Sequence, residues 1–277
     1  MDLSIIILNY KTKGLARQCL KSIALAKPEL EYEIIVVDNN SADDISKMLE
    51  QDFPQVKYIQ SPDNVGFAAG NNLGIKESRG RYFLILNPDI TVMPGSLEKM
   101  MRFMDQNPKV GLVAPQLLNP DKSVQYSCYQ FPTLGVPIYR RTPLGKFAHG
   151  KKVLKQYLMS DWNHADTREV DWCLGACLMA RRETVEQVGM LDQRYFMYFE
   201  DADWCRRFWQ AGFKVVYFPE VKVIHYHIRQ SADVPWFMGL FQKISRIHMA
   251  SALKYFWKFR GKGNPRVGGA VERSSGS

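Results

Sequence analysis

No Cys-x-x-Cys pair and no long apolar run occurs in this chain of 277 residues. Its five cysteines are Cys19, Cys128, Cys173, Cys177 and Cys205. Cys173 and Cys177 alone do not complete a zinc site of ordinary spacing, and reduced, packing cysteines are expected. No window reaches the ~18 apolar residues that crossing a bilayer requires. The start, Met1-Asp2-Leu3-Ser4, has no basic flank and no small-residue cleavage site, so it does not read as a signal peptide. A cytoplasmic protein is expected. Also missing are an internal repeat, a P-loop, a dinucleotide fingerprint and any nucleic-acid-binding motif.

Acidic residues are the scarcer charge, 28 against 37 basic, for a formal net charge of +9. A basic balance fits nucleic acid, an anionic membrane surface or phosphorylated substrates. Much of the excess sits in the last forty residues, so it says little about the main domain. With 46% hydrophobic and 23% charged residues, the chain is of globular type.

Leu3 to Leu8 is a short Ile-rich run, the pattern of a strand buried on both faces of a parallel sheet. A helix follows with Leu15, Cys19, Ile23 and Ala26 on one face, stopped by Pro28. Further strands are expected at 33–37, 56–59, 82–86, 110–114, 176–180, 213–218 and 221–227, the last two separated by Pro219. Helices are expected at 66–77, 95–104, 182–188 and from Glu200 through Gln210, and Ser41 or Asp43 is placed to cap another. This alternation predicts an α/β fold, a mostly parallel central sheet with helices on both faces. Ligands then sit beyond the carboxyl ends of the strands, where Asn9, Asp38, Asn64 and Asp89 fall. Residues 115–167 read as an irregular excursion covering the site, a lid or insertion.

Each chemical candidate has a plain alternative. Asp38 can accept hydrogen bonds from a ribose or a base, or complement a helix dipole. Asn64-Val65-Gly66-Phe67-Ala68-Ala69-Gly70 opens a helix whose amino end favours phosphate, and Gly70 equally suits a tight helix–sheet contact. Asn87-Pro88-Asp89 offers a carboxylate for Mg²⁺ or Mn²⁺, or a simple turn. Glu200-Asp201-Ala202-Asp203 follows the aromatic run 195–199. Those acids either cap a helix or supply a carboxylate whose pKa rises enough to take a proton. His225 is a metal ligand, a phosphate donor or a packed strand histidine.

Taken in order, these pieces resemble the family 2 glycosyltransferases of GT-A fold, and within them the bacterial rhamnosyltransferase-like group. The pieces are residues 4–10, 36–41, 64–72, Asn87-Pro88-Asp89, 175–182, 199–207 and Val223-Ile224-His225. The resemblance implies a GT-A catalytic domain over 1–230. It implies nucleotide contacts at Asn9, Tyr10, Asp38, Asn64, Gly66, Phe67 and Asn87. It also implies a divalent metal, Mg²⁺ or Mn²⁺, on Asp89 and His225. Trp172, Gly175 and Ala176 would border the sugar and acceptor. Asp201 would be the general base, with Glu200 the alternative. Where many relatives have Asp-x-Asp, this chain has Asn87, a neutral and weaker ligand for a hard cation.

The function implied is inverting, non-processive transfer of a sugar to an acceptor hydroxyl, in bacterial cell-surface polysaccharide synthesis. The donor is dTDP-L-rhamnose, with UDP-hexoses behind it, and the acceptor a lipid-linked saccharide. A catalytically dead sugar-nucleotide-binding protein is the rival from another class, and retention of Asp89 and Asp201 argues against it. A processive synthase would carry spanning helices and a Gln-x-x-Arg-Trp motif, both missing here. No nucleic acid is expected as partner. The tail, 231–262, is basic, aromatic-rich and helical, fitted either to the inner face of the cell membrane or to packing on the main domain. Residues 263–277 are expected to be disordered.

Overall fold

A computed structural model describes residues 1–226 and 243–268. His227 and the tail residues Trp236, Phe237, Leu240 and Phe241 lie outside the described residues, as do residues 269–277.

The chain begins with the parallel half of the sheet: β1 (Leu3–Asn9), β2 (Tyr32–Asp38), β3 (Lys57–Gln60) and β4 (Tyr82–Leu86), joined through α1 (Lys13–Ala26), α2 (Ile45–Asp52) and α3 (Gly66–Glu77). Next come β5 (Ile90–Thr91), α4 (Ser96–Gln106) and β6 (Val110–Leu118). Residues 115–167 prove more regular than expected. They hold β7 (Val124–Gln125), β8 (Cys128–Tyr129), α5 (Gly135–Arg141) and α6 (Ala148–Tyr157). The chain then runs through β9 (Arg168–Glu169), β10 (Trp172–Cys173), β11 (Cys177–Arg181), α7 (Arg182–Val188), α8 (Glu200–Gln210) and β12 (Lys214–His225), and later α9 (Lys243–Lys258).

The main sheet has the order β3-β2-β1-β4-β11-β6-β12-β5. β1 pairs parallel with β2 and β4, while β11 enters antiparallel between β4 and β6. β6 therefore runs in the direction of β4, and β12 lies parallel to it. The consequence for function is geometric. Asn9 stands opposite Asp38, and the start of β11 at Cys177 faces Leu86 at the end of β4. Ile224 faces Leu118 at the end of β6. Residues far apart in sequence thus meet at one sheet edge.

Alternation along β1 divides its side chains between two apolar layers. Leu3, Ile5 and Ile7 join Leu20, Met48 and Met100 on one side, while Ile6 joins Ala68, Trp204 and Phe208 on the other. The second layer requires close approach. A Cβ at Gly70 would lie 2.5 Å from Leu8 Cδ1, so α3 meets β1 as the helix–sheet reading had it. All five cysteines are free and buried.

Two local expectations are corrected. Pro219 does not divide a pair of strands. β12 is continuous, and its pairing with β6 shifts register between Phe218 and Lys222. At such an irregularity the missing proline N–H costs no ladder hydrogen bond. Neither Ser41 nor Asp43 caps α2, whose N-cap is Asp44 with left-handed backbone and no side-chain hydrogen bond. Ser41 and Asp43 bond across to β1 instead.

Candidate active site

At the end of β1, Asn9 is fully buried. Its amide donates to Asp38 Oδ1 at 3.1 Å, Ser41 Oγ at 2.9 Å and Asp43 Oδ2 at 3.2 Å. Asn9 Oδ1 accepts from Thr12 Oγ1 at 2.9 Å. Asp38, only 4% exposed, also accepts from the Ser41 hydroxyl and from the Ser41 amide at 3.2 Å. These polar groups satisfy one another, as buried groups must. They hold the loop after β2 against the loop after β1, while Tyr10 projects, 43% exposed, beside them.

Asn39, which sequence reasoning passed over, ties this loop to the next. Its amide donates to Asn64 Oδ1 at 2.9 Å, and its Oδ1 accepts the Val65 amide at 3.0 Å. Gly66 follows with φ +84°, and a Cβ there would lie 2.2 Å from the Phe196 carbonyl oxygen. Only glycine fits. The Phe67 amide donates to that same carbonyl at 2.6 Å. The 64–67 turn is therefore clamped to the segment that leads into α8.

That segment carries backbone strain. Tyr198 and Phe199 have φ of +71° and +69° in succession. For non-glycine residues such conformations cost on the order of 1 kcal/mol each or more, and they cluster at functional sites. They turn the chain so that α8 begins with Glu200 and Asp201 facing inward. Asp201 Oδ2 accepts the Gly175 amide at 3.1 Å and Oδ1 accepts the Ala202 amide at 2.8 Å. Burial outweighs those bonds and pushes the Asp201 carboxyl up to about 6. Burial, with the Asp201 charge beside it, drives Glu200 well above the usual carboxylate range. Glu200 Oε2 is buried with no hydrogen-bond partner among the described residues.

Gly175 adjoins both Phe67 and Asp201. Its Cβ, if present, would stand 3.4 Å from the Phe67 ring and 3.5 Å from Asp201 Cβ. Ala176 is buried and its carbonyl accepts the Asn87 amide at 2.8 Å. Trp172, 7% exposed, packs against the Tyr129 ring at 4.7 Å, tilted by 35°, and donates to the Gln130 carbonyl at 2.9 Å. Trp172 is thus a packed member of the aromatic cluster formed with residues of the 115–167 stretch.

Asp89 and His225 come together because β5 pairs antiparallel with β12, His225 opposite Ile90. His225 Nε2 lies 3.4 Å from Asp89 Oδ1, a buried oxygen that accepts no hydrogen bond among the described residues. His225 Nδ1 lies 2.7 Å from Gln125 Oε1. An amide oxygen only accepts, so Nδ1–H donates to it and Nε2 is the ring nitrogen that faces Asp89. A carboxylate oxygen and an imidazole nitrogen converging in this way suit a divalent cation completed by phosphate oxygens and water. No group of three or more His, Cys, Asp or Glu that could hold a metal occurs among the described residues. Gln125, on a two-residue strand in the irregular stretch, had no sequence signal.

A parallel-to-mixed α/β sheet of this order, with polar groups, a buried carboxylate and an Asp–His pair at one edge, has the GT-A fold. The sequence profile of Glycosyl transferase family 2 matches residues 4–189. The chain belongs to that family and is a glycosyltransferase. It is 27% identical over 268 residues to the N-acetylglucosaminyl-diphospho-decaprenol L-rhamnosyltransferase of Mycobacterium tuberculosis (strain CDC 1551 / Oshkosh), covering 92% of this chain and 86% of the relative. It is 28% identical over 264 residues to rhamnosyltransferase WbbL of Escherichia coli (strain K12), covering 92% and 93%. Among solved structures, the mannosyltransferase PcManGT from Pyrobaculum calidifontis in complex with GDP-Man and Mn²⁺ superposes with TM-score 0.57 at 16% identity, over 99% of this chain and 76% of that one. GalNAc-T7 with UDP, GalNAc and Mn²⁺ superposes with TM-score 0.61 at 13% identity, over 82% of this chain and 44% of that one. At those identities the structures speak for the fold.

Proposed function

We propose that the chain transfers L-rhamnose from dTDP-L-rhamnose, with inversion, to a hydroxyl of a lipid-linked saccharide in bacterial cell-surface polysaccharide synthesis. The observation that carries the chemistry is Asp201, a buried carboxylate held by two backbone amides with its pKa raised to about 6. A base of that strength is ionised at neutral pH and strong enough to accept a hydroxyl proton as the bond forms. The acceptor oxygen attacks the anomeric carbon, and its proton passes to Asp201. The bond from that carbon to the diphosphate oxygen breaks, and the nucleotide diphosphate leaves with the electron pair. Burial pushes the Glu200 carboxyl up, which disfavours a second negative charge beside Asp201.

Asp89 and His225 are the residues that would hold a Mg²⁺ or Mn²⁺ ion. Such an ion supplies positive charge against the leaving diphosphate. Gln125 positions His225 for that task by fixing its tautomer. Tyr10, Asn64, Gly66, Phe67 and Asn87 line the nucleotide, and Asn9 and Asp38 hold its loops in place. Gly175 and Ala176 border the sugar. Two named relatives that are rhamnosyltransferases support the donor, and the M. tuberculosis relative's name, with its diphospho-decaprenol, supports a lipid-linked acceptor.

A thermal-shift series with dTDP, UDP and GDP sugars, each with Mg²⁺ and Mn²⁺, tests the donor. The largest rise is expected with dTDP-L-rhamnose. A larger rise with a UDP-hexose would move the assignment to a UDP-hexose transferase on the same fold.

A further inference from the structure

Between residues 243 and 268 the chain carries seven cations, Lys243, Arg246, Lys254, Lys258, Arg260, Lys262 and Arg266, and no acid. α9 uses one face to dock. Ser251, Ala252 and Tyr255 are buried, as is Phe259 just beyond the helix. Lys258 pairs with Asp192 at 2.7 Å and with Asp203, and Arg266 pairs with Asp171 at 3.2 Å. Packing on the main domain, one of the two readings of the tail, therefore describes this face.

The opposite face is different. Met249, Leu253 and Trp257 are 37%, 73% and 72% exposed. They follow one another at the helical spacing of four, so they form a ridge. Arg246 and Arg260 continue the same stripe and are exposed. The Arg260 guanidinium lies 3.8 Å over the Trp257 ring. An apolar ridge set among cations, with an aromatic ring stacked on one of them, matches the interfacial region of a bilayer.

We infer that this outer face of α9 seats on an anionic lipid surface. A second copy packed stripe to stripe would bring the same cations together, and residues 243–268 carry no acid to meet them. Anionic headgroups complement the cations, and the ridge enters the acyl boundary. The inner face of α9 gives the contact a purpose. Ser251 Oγ donates to the Met197 carbonyl at 2.9 Å, and the His248 ring stands 5.0 Å from Tyr198 and 5.3 Å from Phe199. Those residues form the strained turn that delivers Asp201. One helix thickness, about 10 Å, then separates the lipid surface from the turn before the proposed base. A saccharide on a lipid carrier would meet the site on that side. The purpose rests on the lipid-linked acceptor proposed above; the contact itself does not.

Sedimentation of the full chain with vesicles separates the two. Wild type is expected to bind vesicles of phosphatidylglycerol and phosphatidylcholine and to leave pure phosphatidylcholine vesicles in proportion to their lost charge. Each cation at an anionic surface is worth about fivefold in partition, so Arg246→Gln with Arg260→Gln should lower binding about 25-fold. Leu253→Glu with Trp257→Glu should abolish it. Both double variants should keep the wild-type thermal shift with dTDP-L-rhamnose and Mn²⁺, since none of the four residues touches the site. Equal binding of wild type to both vesicle types, or unchanged binding of the variants, would overturn the inference. So would a wild-type dimer, without vesicle binding, that Trp257→Glu dissolves. Loss of the nucleotide shift in wild type itself would count against the proposed function and leave the lipid contact standing.

Discussion

Replacing Asp201 with asparagine should make the protein inactive and, at alkaline pH, relatively more stable. Folding raises this carboxyl from its ordinary 3.8 to about 6. A raised carboxyl pKa means that the folded state resists ionisation more than the unfolded state does. The wild type therefore carries no penalty below about pH 4 and the full penalty above about pH 6. At ~1.4 kcal/mol for each pH unit of difference, the penalty is about 3 kcal/mol. Asparagine removes it. Asparagine also leaves one of the two amide donors, Gly175 or Ala202, without its acceptor, at a cost of about 1–3 kcal/mol that does not vary with pH. The pH-dependent part isolates the ionisation. The difference in melting temperature, variant minus wild type, should grow by about 6–10 °C between pH 4 and pH 8. Loss of the Asp201 charge also relieves the upward push on the Glu200 carboxyl, which adds in the same direction. Transfer should fall by about 10²–10⁴-fold. Calorimetry across that pH range checks the first part and a nucleotide-release assay the second. A melting difference that is flat or shrinks as pH rises would refute a raised Asp201 pKa.

Asp89→Ala should weaken Mn²⁺ binding in the presence of nucleotide, read by electron paramagnetic resonance, and an unaltered titration curve would remove Asp89 from the site. Gln125→Leu should let His225 exchange tautomers, seen as a change in its ¹⁵N shifts, and should weaken Mn²⁺ binding less than Asp89→Ala does. Gly66→Ala forces a Cβ to within 2.2 Å of the Phe196 carbonyl, so urea unfolding should show a loss of more than about 1 kcal/mol together with lost nucleotide affinity. Asp203 is fully buried between Arg207 and Lys258. Its change to Ala takes the carboxylate from Arg207 and leaves Lys258 with Asp192 alone, and should cost about 3 kcal/mol by the same measurement.

Much of this architecture was legible where the determinants are local. α3 at Gly66–Glu77, β4 at Tyr82–Leu86, α7 at Arg182–Val188 and the extent of α8 match the sequence expectation. Apolar period and glycine stops set those boundaries. The failures share one cause, a partner remote in sequence. Ser41 and Asp43 looked like caps because the helix follows them, but Asn9, about thirty residues upstream, takes both. Pro219 looked like a break because the register shift that accommodates it exists only against β6. Gln125 and Asn39 act through hydrogen bonds to residues remote in sequence, a relation that neither spacing nor composition records. The raised pKa at Glu200-Asp201 was anticipated from the aromatic run before it. That run supplies the strained turn, while the amides of Gly175 and Ala202 fix the carboxylate's position.

The central claim is transfer from a nucleotide sugar with Asp201 as base. Its most direct measurement is release of nucleotide diphosphate from dTDP-L-rhamnose, supplied with lipid-linked saccharide acceptors and Mg²⁺ or Mn²⁺, for wild type beside Asp201→Asn. Acceptor-dependent dTDP release by wild type, with a product anomer opposite to the donor's and almost none from the variant, is expected. Equal release by the two proteins, or a product that keeps the donor's anomeric configuration, would contradict it.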